Sequence, residues 1–402
     1  MAIKRVRVDQ LKPGMYIHDL NCGWLQHGFL RQQFLLKSLG QIEKMHHQGM
    51  HDVYIDTGKG ADLPGAPTEA EVQQVLQEQL EASGTQRAML PTAPVPQREE
   101  AAAAQRILGE AQGVVKDMMH DIRLGKQVDP AKAMPVVDEI NASMLRNPGA
   151  LLSLGRIKQA DTYTFQHCVS VCALLVSFSH ALGLDAEAVR EVGLGGLLHD
   201  VGKMKIPNEI LNKPGRLTEE EFAVMKSHAA LSRELLQGTP GISETVIRIA
   251  SEHHEKMGGC GYPKGLRGNQ ISQAGRMAAI VDVYDALTSN RVYHKGMEPS
   301  DALKKLLEWS GDHLDGDLVQ LFIRALGIYP VGSLVRLSDG KLAVVVEQQE
   351  DLLRPTVRVV YDAVRGYGLP PRDLDLLASD HHIESFEEPA EWDLNPLDYL
   401  RA

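Results

Sequence analysis

The sequence predicts a multi-domain protein in which a helical bundle is flanked by a small α+β domain on its N-terminal side and a small β appendage on its C-terminal side. Three observations carry that prediction. The 402 residues exceed one ordinary core and suit a catalytic domain of roughly 200 residues with smaller modules around it. Apolar residues recur at helical spacing over 98–327 without strand-like alternation, and on both sides of that stretch the period changes.

In chain order, residues 1–60 read as the α+β domain. Val6 and Val8 alternate, Pro13 and Gly14 turn the chain, Phe34 to Met45 carries helical spacing, and Val53, Tyr54 and Ile55 form a strand. Trp24, Phe29 and Phe34 are its expected core. Residues 61–97 hold Pro64, Pro67, Pro91, Pro94 and Pro96 among Ala, Gln, Gly and Thr, and read as a linker with room for one short helix. The helical domain spans 98–327, with its core at 155–327. Residues 328–378 form the appendage, where Asp339-Gly340 joins Ser333–Leu337 to Leu342–Val346 as a hairpin. The acidic residues 379–402, with Pro389 and Pro396, are expected to be loosely ordered or draped over another surface.

Composition excludes several classes. A net charge of −11 opposes binding to a nucleic acid polymer, whose phosphates demand clustered Lys and Arg. No apolar run approaches the roughly 20 residues of a membrane span. The N-terminus lacks the pattern of a secretory signal, so a cytoplasmic location is expected. The four cysteines, Cys22, Cys168, Cys172 and Cys260, show no CxxC pair. They read as reduced thiols, with Cys168 and Cys172 as small core residues.

Chemistry concentrates on successive helices. His167 shares a helix face with Val171, Leu174, Leu175 and Phe178. A lone histidine there is more often a hydrogen-bonded core residue than a ligand, so His167 gains weight from its company. His199 and Asp200 end the next helix, where Gly202 lets the backbone leave it and the carboxylate keeps a second oxygen free to bridge two ions. Lys213-Pro214-Gly215 makes a turn that could form a lid. Thr218 and Glu221 then cap a helix leading to His228. His253 and His254 are costly to bury as neighbours without ligands, and Asp282 is a carboxylate among apolar residues. Together His167, His199, Asp200, His228, His253, His254 and Asp282 suffice for two ions with open positions. Nitrogen and oxygen donors without thiolate suit iron, manganese or zinc.

The order His167, His199-Asp200-x-Gly202-Lys203, His228, His253-His254-Glu255 with Gly261-Tyr262-Pro263, then Asp282, resembles the HD-GYP phosphodiesterases. Lys213-Pro214-Gly215, Asp285 and Arg291-x-Tyr293 extend the resemblance over about residues 155–327. Leu11 to Tyr16 and Val53 to Gly58 are similar to a small domain often found before HD-GYP domains. The resemblance implies an HD-type helical bundle that hydrolyses cyclic di-GMP to pGpG or GMP, with two divalent metal ions, iron or manganese, as cofactors. It implies His167, His199, Asp200 and Asp282 around one ion and His228, His253 and His254 around the other, with Asp200 bridging. Water would attack phosphorus in line between ions roughly 3.5–4 Å apart. Lys203 would contact a phosphate, Arg291 would clamp another phosphate or a guanine edge, Tyr262 would shape the pocket, and GGDEF-type proteins are implied partners.

Three positions depart from the family pattern. Tyr163 stands where members with a third metal carry glutamate, which favours two ions. Gly258 replaces a usual aspartate, so a more mobile loop is expected. His294, beside Lys295, replaces a lysine or arginine, so a pH-dependent substrate grip is expected. His180 and His313 are singletons without a positional reason for a role. Two other readings compete: a cyclic di-GMP receptor or interaction module without turnover, and a phosphodiesterase for another cyclic or linear dinucleotide. The intact ligand set opposes the first, and comparing turnover of several dinucleotides separates the second.

Overall fold

A computed structural model of the chain describes residues 2–22, 33–84, 95–155, 163–289 and 296–400. The N-terminal unit is a four-stranded antiparallel sheet in the order β1-β4-β2-β3 with one helix. Its elements are β1 (Ile3–Arg7), β2 (Tyr16–Asp19), β3 (Phe34–Leu35), α1 (Leu39–His47) and β4 (Asp52–Asp56). Alternation sets the register. Val6 opposes Val53, and both enter a core with Ile17, Ile42, Met45 and Ile55, against which Phe34 packs. Trp24 and Phe29 lie outside the described residues.

The stretch read as a linker contains α2 (Glu69–Ser83). Thr68 and Glu71 close a reciprocal capping box at its start. Val72, Leu76 and Leu80 form its buried stripe, and Leu80 joins the core of the helical domain. The sequence left room for one short helix here; α2 runs to 15 residues.

Twelve further helices build the centre: α3 (Gln97–Arg123), α4 (Pro130–Arg146), α5 (Pro148–Gly155), α6 (Tyr163–Ala181), α7 (Ala186–Leu198), α8 (Asn208–Leu211), α9 (Glu219–Lys226), α10 (His228–Leu236), α11 (Glu244–Glu252), α12 (Gln273–Thr288), α13 (Pro299–Glu308) and α14 (Gly316–Leu326). They enclose two apolar cores. One lies among α3, α4, α7 and one side of α6, through residues such as Ile122, Ile140, Cys172 and Leu197. The other lies among α12, α13, α14 and the opposite side of α6, through Phe178, Ile280, Leu303 and Phe322. Serving both cores, α6 is apolar nearly all round, which is why a polar residue on it stands out. Cys168 and Cys172 are buried in the first core, as read from their spacing. His180 bonds Asn141 at 2.7 Å.

The C-terminal part is a five-stranded antiparallel sheet, β8-β7-β6-β5-β9, which contains the expected hairpin as its β5-β6 pair. It comprises β5 (Leu334–Leu337), β6 (Lys341–Glu347), β7 (Thr356–Asp362), β8 (Tyr367–Asp375) and β9 (Ile383–Phe386), followed by α15 (Pro396–Leu400). Alternate residues of β6 face different cores: Ala343 and Val345 meet the helices, while Leu342, Val344 and Val346 meet Leu400. The acidic tail is therefore ordered. Val335 pairs with Phe386, and the tail supplies an edge strand and a cover. No helix among the described residues is long and apolar enough to cross a membrane.

The N-terminal unit docks on α13 through buried polar groups. Glu308 accepts from Asn21 Nδ2 at 2.9 Å, Tyr54 Oη at 2.7 Å and Lys305 Nζ at 2.8 Å, and Trp309 Nε1 donates to the Asn21 carbonyl at 3.1 Å. Removing the carboxylate strands the Asn21 and Tyr54 donors and leaves the Lys305 ammonium with the Asn21 side-chain oxygen. Glu308→Ala is expected to lower the unfolding free energy by about 2–3 kcal/mol, read as a fall in the urea midpoint.

Candidate metal centre

Asp185 caps α7, its side chain accepting from the Ala188 amide. The helix ends at Leu198, delivering His199 and Asp200 to the interior, where they are 1% and 0% exposed. Gly202 does more than release the backbone. Its φ is ordinary for any residue, but a Cβ there would sit 2.1 Å from the His228 carbonyl and 2.5 Å from the Ser232 amide. Glycine is required because α10 crosses at this point. The Gly202 amide donates to Ser232 Oγ at 2.8 Å, and that hydroxyl donates to the His199 carbonyl at 3.0 Å. His228, the first residue of α10, is thereby tied to the turn carrying Asp200.

Four imidazoles are held through Nδ1. His199 donates to the Gly196 carbonyl at 2.7 Å, His228 to Met225 at 2.8 Å and His253 to Ile249 at 3.2 Å. His167 Nδ1 lies 2.6 Å from Asp285 Oδ2. Carbonyls and carboxylates accept only, so each Nδ1 carries its proton outward, and wherever the ring is neutral the Nε2 lone pair points inward. Those lone pairs converge: His199 and His167 Nε2 are 3.3 Å apart, and His228 and His253 Nε2 are 3.4 Å apart. Facing lone pairs repel unless a cation lies between them.

Asp200 joins the two groups. Its Oδ2 is 3.3 Å from His199 Nε2 and 3.7 Å from His167 Nε2, and accepts from Lys203 Nζ at 2.5 Å. Its Oδ1 is 3.4 Å from His228 Nε2 and 3.9 Å from His253 Nε2, and is buried without a hydrogen-bond partner. Asp282 Oδ1 lies 3.0 Å from His167 Nε2, and its Oδ2 is 3.8 Å from His254 Nδ1. The donor atoms of His167, His199 and Asp282 lie within 4.8 Å of one another, as do those of His228, His253 and His254.

Electrostatics favours ligation. Burial pushes His228 down to about 4 and His253 down to about 3, so both are neutral at pH 7. Burial alone would raise the carboxyl of Asp200, but Lys203 and His199 hold it well below the usual range. Burial likewise opposes the charge on Asp282, where the hydrogen bond and charge of His167 prevail. Among the described residues, Asp200 and Asp282 thus share the Lys203 ammonium, and Asp285 stands behind His167. This surplus of negative charge, the inward lone pairs and the unpartnered Oδ1 fit divalent cations held by nitrogen and oxygen.

Tyr262 stacks on His254 with ring centroids 4.7 Å apart. Burial raises its phenol well above the usual range, so it stays protonated and acts by position. Arg291, Tyr293, His294 and Lys295 lie outside the described residues, as does the side chain of Tyr163. Gly258, expected to loosen its loop, is pinned instead. Its amide donates to the Asp312 carbonyl at 2.6 Å, and its carbonyl accepts from Arg267 Nη2 at 3.0 Å. Glu255 folds the same loop by accepting from the amides of Lys264 at 2.8 Å and Leu266 at 2.9 Å. At the expected lid turn, Lys213 Nζ bonds Glu221 Oε2 at 2.5 Å. Sequence reasoning assigned no role to Asp285 or Glu255. The signal for Asp285 was its spacing, three residues after Asp282 on one helix.

Two family models match the chain: HD domain over residues 147–318 and Domain of unknown function (DUF3391) over residues 3–133. The cyclic di-GMP phosphodiesterase PA4108 of Pseudomonas aeruginosa is 41% identical over 406 aligned residues, covering 99% of this chain and 95% of that protein. The 3'3'-cGAMP-specific phosphodiesterase 1 of Vibrio cholerae is 37% identical over 176 residues, 44% of this chain and 41% of that protein. Among solved structures, Bd1817, an HDGYP-type protein from Bdellovibrio bacteriovorus, superposes with a TM-score of 0.47 at 20% identity, over 80% of this chain and 98% of that one.

Two substitutions test the centre. Asp285→Ala frees the His167 ring and is expected to weaken metal retention about 10–100-fold, measured as metal content after dialysis against graded chelator. Gly202→Ala forces α10 away and is expected to destabilise the fold by about 2 kcal/mol in thermal or urea unfolding, with loss of metal from the His228 side.

Proposed function

Since the chain belongs to the HD-domain cyclic di-GMP phosphodiesterases, we propose that it hydrolyses cyclic di-GMP to pGpG, and onward to GMP, at a centre of two divalent ions. The observation that carries this reading is Asp200, whose two buried oxygens face different histidine groups, one of them without any other partner. His167, His199 and Asp282 would hold one ion on the Oδ2 side, and His228, His253 and His254 the other on the Oδ1 side. Bound there, the ions supply Lewis acidity toward phosphoryl oxygens and lower the pKa of the attacking water.

The chain's own groups do the remainder. The Nδ1 hydrogen bonds keep the rings aimed at the centre. Lys203, half-buried beside Asp200, brings a positive charge to the place where an anionic phosphodiester must come to rest. Tyr262 walls the site. The all-nitrogen-and-oxygen donor set supports iron or manganese. The same reading includes Arg291, His294 and Lys295 as substrate contacts, GGDEF-type proteins as partners and a cytoplasmic place of action.

The test is anaerobic turnover by protein loaded with iron or manganese, with products resolved by chromatography. Metal-dependent pGpG or GMP is expected, abolished by chelator and reduced at least about 10²–10³-fold in Asp200→Ala. A metal-replete protein that binds cyclic di-GMP without cleaving it would favour the receptor reading. Faster cleavage of a mixed guanine–adenine cyclic dinucleotide would change the substrate.

A further inference from the structure

The N-terminal unit does not merely precede the helical domain. It reaches the metal centre. A cavity of about 350 Å³ lies between them, with His253 and His254 in one wall and Gln48, the residue that ends α1, in another. The wall is held in place from two sides. Lys44 of α1 forms an ion pair with Glu219 at the start of α9, and Gly49 lies so close to the glycine-rich loop that a Cβ there would meet that of Cys260 at 2.4 Å. His313 Nε2 bonds the Gly49 carbonyl at 3.1 Å.

The cavity lining has the chemistry of a nucleotide site. Phe222, Tyr262 and Trp309 offer aromatic surface for a base. Lys226 and Lys256 also line it beside Glu219 and Glu255; Glu219 is paired with Lys44 and Glu255 is bound by backbone amides, whereas neither lysine makes an ion pair among the described residues, so both can face a phosphate. The Gln48 side-chain oxygen is buried and has no hydrogen-bond partner. Gln48 lines the cavity, and a half-turn of its amide, which exchanges oxygen and nitrogen in nearly the same space, presents an acceptor there; guanine carries two N–H donors on its Watson–Crick edge. The volume falls within the roughly 300–1,000 Å³ of small-molecule sites.

We propose that Gln48 of the N-terminal unit is a specificity-determining residue, its side-chain amide reading the edge of a guanine seated in this cavity while the attached phosphodiester lies toward His253 and His254. The assignment rests on the substrate reading above and adds that the N-terminal unit supplies part of the site.

The experiment compares wild type, Gln48→Ala and Gln48→Glu as metal-loaded, full-length protein. Cyclic di-GMP is assayed beside bis(p-nitrophenyl) phosphate, which has no base, and calorimetry gives the Kd of a phosphorothioate analogue of cyclic di-GMP. Gln48→Ala is expected to raise KM and Kd for the guanine compounds about five- to tenfold with kcat within about twofold and unchanged bis(p-nitrophenyl) phosphate hydrolysis. Gln48→Glu keeps an acceptor but cannot donate to adenine. It should keep KM for cyclic di-GMP within about threefold of wild type while worsening it for cyclic di-AMP. Unchanged KM and Kd in Gln48→Ala, with an active wild type, overturn the cavity assignment alone. Were Gln48→Ala to lose activity on both substrates through misfolding, Gln48→Glu decides: unaltered preference between the two dinucleotides overturns the proposal. A wild type that cleaves bis(p-nitrophenyl) phosphate but not cyclic di-GMP overturns the substrate reading and this one together.

Discussion

Everything in the central domain answers to one buried carboxylate. Asp200 is 0% exposed, and an ionised oxygen in that position without a donor is among the most costly groups a protein can bury. The fold surrounds it with four imidazoles whose outward nitrogens are occupied by carbonyls or by Asp285, so in each neutral ring the inward nitrogen is a lone pair. Such an arrangement is self-repelling as a hydrogen-bond network, and it becomes favourable once positive charge enters. Lys203 supplies one charge. The remainder is a demand that divalent cations would meet.

Holding five helices, α6, α7, α10, α11 and α12, around that point requires a rigid frame on both sides. A single apolar helix, α6, provides it by belonging to two cores at once, with Cys172 and Phe178 turned into different clusters. The close crossing at Gly202 fixes α10 against the turn after α7 to within a hydrogen bond. The C-terminal sheet adds a third constraint, because Val335, Leu337, Ala343 and Val345 pack into the same cluster as α12 and α14. The helix carrying Asp282 and Asp285 is therefore braced from behind by residues far from it in sequence.

Much of the centre could be read from the chain because its candidate ligands are chemically rare neighbours: adjacent histidines, a histidine–aspartate pair before glycine, an acid inside an apolar helix. These patterns need no tertiary knowledge. Asp285 was harder, since an acid one helical turn from a ligand reads equally well as a solvated residue until packing buries it. Gly202 was located correctly but for the wrong cause, as close approach between helices leaves no trace in a single segment. The β6 run, Leu342 to Val346, gives a strand but not its two-sided burial, because both faces are apolar and the period-2 signal vanishes. The proline-rich stretch left room for a short helix but hid the length and buried stripe of α2, and an acidic composition concealed the edge strand β9, whose pairing with β5 is decided by backbone groups rather than side chains.

The joint between the N-terminal unit and α13 is polar where a hydrophobic contact would have given more stability. Asn21, Tyr54, Lys305 and Trp309 converge on or around Glu308, each through a directional bond. An apolar interface tolerates sliding by a few tenths of an ångström, whereas a buried carboxylate with several donors loses hydrogen bonds as soon as the surfaces shift. The joint therefore favours one orientation over maximal strength. That orientation sets the distance from α1 to α9 and to the Gly-Tyr-Pro loop, and hence the width of the cavity beside His253 and His254. A domain placed with that specificity at the edge of a metal centre is part of the site's geometry, and any input that loosens Glu308 from its donors must reach the cavity through its Gln48 wall.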